Sequence, residues 1–83
     1  MLFHERLKAL REDKDLKQSE VAEALNITRT TLANYESGYR EPDIHLLVKI
    51  SDYFDVSTDY LLCRTNLMIS FSKSNKIKNN LAN

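Results

Sequence analysis

The chain is expected to be all-α, and three observations carry that expectation. Residues Gln18 to Tyr35, QSEVAEALNITRTTLANY, place apolar, small and turn residues where two short helices crossing at a tight corner need them, the arrangement of a helix-turn-helix. Before this stretch, Phe3, Leu7 and Leu10 fall on one helical stripe; after it, Ile44, Leu47, Ile50 and Phe54 form another. The 83 residues suit one small domain, and 42% apolar residues are enough for one compact core and not for a second.

In chain order, the first helix is expected over about Phe3 to Lys14, with Leu16 closing the corner behind it. The second carries Val21 and Leu25 one turn apart, and Ala22 is small enough for the next helix to come close. Asn26 sits at the corner, where a sharp turn needs positive φ, which Gly takes freely and Asn more readily than most others. Ile27 plugs that corner. The third helix is expected over roughly Thr28 to Ser37, with Leu32 and Tyr35 inward and Gly38 suited to end it. Asp43 is a good cap for a fourth helix over about Ile44 to Phe54, and Ser57 for a fifth starting near Thr58. Leu46 and Tyr53 are expected to face outward from the fourth helix.

The third helix carries the functional signal. Arg29, Thr30, Ala33, Asn34 and Ser37 lie at helical spacings on the face opposite Leu32 and Tyr35. The planar fork of Arg matches guanine O6 and N7, the Asn amide matches adenine N6 and N7, and the Thr30 methyl suits a thymine methyl. These are base-reading side chains on a helix thin enough for the major groove. The same residue types occur on any solvated face, so this pattern alone leaves both readings open.

Residues 6 to 62 resemble the Cro/CI-type DNA-binding domain of phage and bacterial repressors, the Xre-like or lambda-repressor-like family. The likeness lies in RLKALRE in the first helix, QSEVAEALNITRTTLANYESG in the middle and EPDIHLLVKISDYFDVSTDYLL at the end, in that order and at that spacing. It implies a five-helix lambda-repressor-like domain that docks as a homodimer on a two-fold operator in double-stranded DNA. Base contacts are expected from Arg29, Thr30 and Asn34, and backbone contacts from Lys17, Gln18, Thr28, Ser37, Tyr39 and Arg40. In the family, the loop before Pro42 runs along the sugar-phosphate backbone; Tyr39 fits there or in the core. The resemblance also pairs Arg11 with Glu36, a half-buried acid that needs a partner and finds the best one in a bidentate Arg.

Three positions depart from the family pattern. Asp15 and Lys17 stand where Gly and a Ser or Thr cap are frequent, and both cost stability, because Asp takes the left-handed conformation less well and Lys offers no acceptor. A cation at a helix N-terminus opposes the macrodipole unless an anion neutralises it, and a bound phosphate does so, which favours Lys17 and Gln18 as backbone clamps. Cys63 replaces the frequent Gly after the fifth helix, so that helix is expected to run on a little.

Charge is distributed unevenly. Residues 1 to 62 hold eight Lys and Arg against twelve Asp and Glu, or −4, while residues 63 to 83 hold four basic residues and no acid, or +4. A global basic footprint is missing, so placement must carry DNA binding: Lys17, Arg29 and Arg40 bracket the motif, and Asp43, Asp52, Asp55 and Asp59 belong to later helices. Few phosphate contacts imply a shallow salt dependence. Cys63 is expected as a buried or half-buried thiol, and with His4 and His45 it fits no metal-ligand spacing, so neither metal nor cofactor is expected. Glu36 has no second carboxylate, nucleophile or His beside it in the motif, so no enzymatic role is expected. Apolar runs stay below the roughly 18 residues of a membrane span and no signal pattern opens the sequence, which points to a soluble cytoplasmic protein without membrane contact.

The domain is expected over residues 1–65, followed by a short, partly ordered C-terminal tail over 66–83. Leu67, Ile69 and Phe71 alternate with polar and flexible residues in a strand-like period. This apolar patch suits cis packing on the fourth helix, pairing with a two-fold mate, or a protein partner. The homodimer contact is expected to use Leu46, Tyr53, Leu67, Ile69 and Phe71. The sequence therefore points to a sequence-specific transcriptional regulator, most simply a repressor on an inverted-repeat operator. The competing reading is a protein-interaction module on the same scaffold, such as an antitoxin or anti-repressor partner; neither implies a small-molecule substrate.

Overall fold

The computed structural model describes residues 1–69, so Phe71 and the rest of the expected tail from residue 70 onward lie outside the described residues. Five helices follow one another: α1 (Phe3–Asp13), α2 (Gln18–Leu25), α3 (Arg29–Ser37), α4 (Ile44–Phe54) and α5 (Thr58–Leu61). Three of them start where a side-chain acceptor meets an orphan N–H group of the first turn. Thr28 Oγ1 accepts from Thr31 N–H at 3.0 Å, Asp43 Oδ1 from Leu46 N–H at 2.8 Å and Ser57 Oγ from Tyr60 N–H at 3.0 Å. Lys17, without an acceptor, is served from inside the helix: its own N–H donates to Glu20 Oε1 at 2.8 Å, one half of a capping box.

The corners are built with only one glycine. Asp15, Asn26, Asp55 and Cys63 all take φ of 55 to 64°, and Gly38 takes 82°. Asn and Asp tolerate this left-handed region through their short polar side chains; Cys has no such relief. At Cys63 the helix nevertheless stops, because its N–H donates to Tyr60 O at 3.0 Å and Arg64 N–H to Asp59 O at 2.8 Å, which closes the last turn. The expected extension of the fifth helix is thereby overturned: hydrogen bonding of the final carbonyls outweighs the missing glycine.

Leu7, Leu10, Val21, Ala22, Leu25, Leu32, Ile50, Phe54, Val56 and Leu61 form one core, with Phe3, Leu16, Ile27, Tyr35, Leu46, Leu47 and Tyr60 packed at its margin. Helix α2 packs on α3 and α4, while α1 lies against α3 on one side and α5 on the other. Two expectations about α4 are corrected. Ile44 is 77% exposed rather than part of the core stripe, since an i, i+3 row on a helix of 3.6 residues per turn drifts by about 60° per step and leaves its first member off the buried arc. Leu46, expected to face outward, instead reaches the core margin on the opposite flank. Tyr53 stays largely outside, its ring edge-on to Phe54 at 5.0 Å, and Val48 is exposed one turn after Ile44. Residues 67 to 69 adopt no regular structure, so the expected strand is not formed over that part.

Arg6 ties the start of the fold to its finish. Buried to 8% exposure, it donates from Nη1 to Tyr60 O at 2.8 Å and to Thr65 O at 3.0 Å, and lies 3.9 Å above the Tyr60 ring centroid. A cation at the carbonyl end of α5 is favoured by the helix dipole as well as by these acceptors.

Candidate nucleic-acid interface

Helix α3 presents two different faces. Outward, Arg29, Thr30 and Ser37 are exposed, and Ala33 and Asn34 are half-buried. Arg29 has no hydrogen-bond or ion-pair partner among the described residues. Its guanidinium is thus available for an external acceptor. The end of the helix is closed by its own backbone: the Asn34 carbonyl accepts from Tyr39 N–H at 3.0 Å and Arg40 N–H at 3.2 Å, and Ser37 Oγ donates to the same oxygen at 3.1 Å. The Ser37 hydroxyl therefore serves the loop first. Tyr39 is 75% exposed, which removes it from the core, and the Arg40 guanidinium lies 5.9 Å from its ring centroid, so both project from one loop. Lys17 is exposed and Gln18 half-buried at the start of α2, and Thr28 is exposed at the start of α3. First-turn N–H groups at such helix starts lack intrahelical acceptors and suit a phosphate oxygen.

Inward, α3 is locked to α1. Arg11 Nε donates to Glu36 Oε2 at 2.7 Å and Arg11 Nη2 to Glu36 Oε1 at 3.0 Å, a two-point fork between largely buried groups. The expected pair is present, and Glu36 is buried rather than half-buried. Two more groups complete it: Arg11 Nη1 donates to Leu16 O at 2.8 Å, and Gln18 Nε2 donates to Glu36 Oε1 at 3.1 Å. The Gln18 side chain is thus a strut between the start of α2 and the end of α3. Hydrogen bonding to Glu36 raises the Arg11 pKa, against a smaller opposing effect of burial. With its folded pKa raised, the guanidinium's contribution is fully present below its ordinary value and lost only as pH rises through the higher folded value, beyond any working range.

Three residues in this architecture carried no signal in the sequence. His4 Nδ1–H donates to Glu36 O at 3.3 Å, and the ring packs so closely under Gly38 that a Cβ there would lie 2.9 Å from His4 Cδ2. Arg6 holds the end of α5, and Lys49 Nζ donates to Leu25 O at 3.0 Å, fastening α4 to the end of α2. All three bond to main-chain oxygens, which every residue offers, so no pattern of residue types marks the partner. Among the described residues no cluster of His, Cys, Asp or Glu could hold a metal, and no helix is long and apolar enough to cross a membrane.

A short helix with an open polar face, crossed behind by a second helix and braced by a buried ion pair, defines a helix-turn-helix DNA-binding domain. A helix-turn-helix family model matches residues 7–61, and the chain belongs to that family of DNA-binding transcriptional regulators, not of enzymes. It is 48% identical over 62 residues to the HTH-type transcriptional regulator ImmR of Bacillus subtilis (strain 168), covering 75% of this chain and 49% of that protein. It is 45% identical over 65 residues to an SPbeta prophage-derived HTH-type regulator, YonR, of the same organism, covering 78% and 60%. The chain spans about half the length of the curated relatives it matches. Among solved structures, the P22 c2 repressor in complex with synthetic operator 9T matches with a TM-score of 0.71 and 26% identity over 75% of this chain and 94% of that one. A transcriptional regulator from Listeria innocua matches with a TM-score of 0.72 and 31% identity over 96% and 75%. These likenesses bear out the lambda-repressor-like fold.

Proposed function

We propose that the chain is a sequence-specific transcriptional repressor that lays α3 in the major groove, reads base edges with Arg29, Thr30 and Asn34, and holds phosphates through Lys17, Gln18, Thr28, Ser37, Tyr39 and Arg40. The observation that carries this reading is Arg29, without a partner among the described residues, on the open face of a helix whose other face is locked by Arg11 and Glu36. A rigid backing lets a few base contacts discriminate, because a misplaced fork loses its bidentate geometry. One helix touches too few base pairs for useful specificity. A symmetric homodimer doubles the readout and sets two α3 helices about 34 Å apart on an inverted repeat. Tyr53, Leu67 and Ile69 are exposed apolar surface for such a contact, and Ile44, Val48 and Leu62 add to it. Leu46 is half-buried at the core margin, and Phe71 lies outside the described residues.

Selection of bound duplexes from a random pool, with sedimentation of the free and DNA-bound protein, tests both halves. Enrichment of an inverted repeat bound by two copies is expected. A single 9.7 kDa species, free and one per site, would rule out the dimer. A second reading, a protein-interaction module, draws support from the same apolar residues and from a solved neighbour, a SinR protein/SinI protein complex, matching with a TM-score of 0.69 and 25% identity over 96% of this chain and 79% of that one. Its mark is a stable heterocomplex that survives Arg29→Ala and Asn34→Ala.

A further inference from the structure

We infer that His4 is a positioning residue for DNA binding: its imidazole fixes the direction in which the loop of Tyr39 and Arg40 leaves α3. This rests on the reading of those two side chains as phosphate contacts given above. The first support is the way α3 ends. Its last-turn carbonyls have no partners further along the helix and must be met from elsewhere. Asn34 O takes the N–H groups of Tyr39 and Arg40, and Tyr35 O takes Gly38 N–H at 3.3 Å, all from the loop itself. Glu36 O instead takes His4 Nδ1–H at 3.3 Å, from 32 residues away in sequence. A carbonyl only accepts, so Nδ1 carries the proton.

The second support is steric. Gly38 stands at φ of 82°, and a Cβ there would lie 2.9 Å from His4 Cδ2, 3.2 Å from Cγ and 3.2 Å from Nε2. The ring thus lies against the main chain at the residue where helix turns into loop. Beyond it, Tyr39, Arg40 and Glu41 are all exposed. Helix α1 grips Glu36 twice, its carboxylate through Arg11 and its carbonyl through His4, two turns apart on that helix. Arg11 sets where α3 lies, and His4 sets where its backbone exits. An exposed loop that is ordered only on binding gives up affinity, whereas one ordered beforehand does not. Removing the imidazole leaves Arg40 present but untethered, which weakens phosphate contact on every sequence and leaves base reading by Arg29 as it was.

The measurement is a double-variant cycle on affinity for a random-sequence duplex, expressed per folded molecule from urea midpoints recorded for each protein. Its corners are the full chain, His4→Ala, the loop variant Tyr39→Ala/Arg40→Ala, and the combination; His4→Asn keeps a donor near the place of Nδ1. His4→Ala should weaken binding about fivefold, the scale of one ordinary hydrogen bond. It should also flatten the slope of log affinity against log salt by up to about 0.9, the share of one phosphate contact. In the loop variant the same change should cost less than about twofold, because the groups through which His4 acts are gone. The ranking of operator variants should stay unchanged, and His4→Asn should recover part of the loss. An equal loss in both backgrounds would overturn the inference, since a residue that merely supports the fold is felt whether or not the loop reaches DNA. Unchanged affinity for His4→Ala beside a weakened loop variant would overturn it as well. A loop variant that binds like the full chain would remove the phosphate-contact reading of Tyr39 and Arg40 together with it.

Discussion

The two faces of α3 each carry one charged residue, Glu36 inward and Arg29 outward, and do opposite work. Inward, Glu36 is met by Arg11 on both oxygens, by the Gln18 amide, and through its carbonyl by His4. Outward, Arg29 and Thr30 stand exposed, and Arg29 has no protein partner among the described residues. Burial makes the difference. A charge removed from water is tolerable only when its hydrogen-bonding capacity is filled, whereas an exposed charge stays solvated until a ligand replaces the water. The buried face therefore governs stability, the open face governs recognition, and substitutions should separate the two.

The largest effect is expected at the inner face. Glu36→Ala or Arg11→Ala should cost about 3 to 5 kcal/mol, because the survivor is left buried without compensation, and the double variant should cost less than the sum. A urea-denaturation cycle showing simple additivity would break the distinction between the faces. Next in size, Arg6→Ala should cost about 2 to 3 kcal/mol through the carbonyls of Tyr60 and Thr65, with affinity for DNA per folded molecule lowered less than by Arg29→Ala.

Arg29→Ala belongs to the other class. It should change folding stability by less than about 0.5 kcal/mol while costing about 1 to 3 kcal/mol on the best site and relaxing preference at one base pair, whereas Arg40→Ala should weaken all sequences alike. Equal losses on specific and random duplexes for Arg29→Ala would remove it from base reading. The smallest change is expected at a corner: Cys63→Gly should raise stability by about 0.5 to 1 kcal/mol, since φ of 64° is strained for a β-carbon and free for glycine. No gain in a thermal melt would mean that the closing hydrogen bonds already relax the strain.

Much of this architecture was legible in residue order. The corner at Asn26, the caps at Asp43 and Ser57 and the end at Gly38 follow from local backbone preferences, which act within a few residues and so leave a mark in the sequence. The Arg11–Glu36 pair was legible through family resemblance, not through spacing. On α4, periodicity alone put Ile44 inside and Leu46 outside, and both were reversed, because a stripe shows which residues share a face and not how far a neighbouring helix extends along it.

The sequence by itself determined the helices, their corners and the set of side chains offered on α3, since these depend on local dihedral preference and periodicity. Only the tertiary structure decided which charges are spent on the fold and which remain for a ligand. Arg6 and Arg11, on the same helix as the exposed Lys8, are taken up mainly by carbonyls and a carboxylate brought from 25 to 60 residues away, while Arg29 has no partner among the described residues. Such contacts depend on where the backbone of distant helices lies, and a carbonyl oxygen, being common to every residue, announces itself nowhere in the order of the chain.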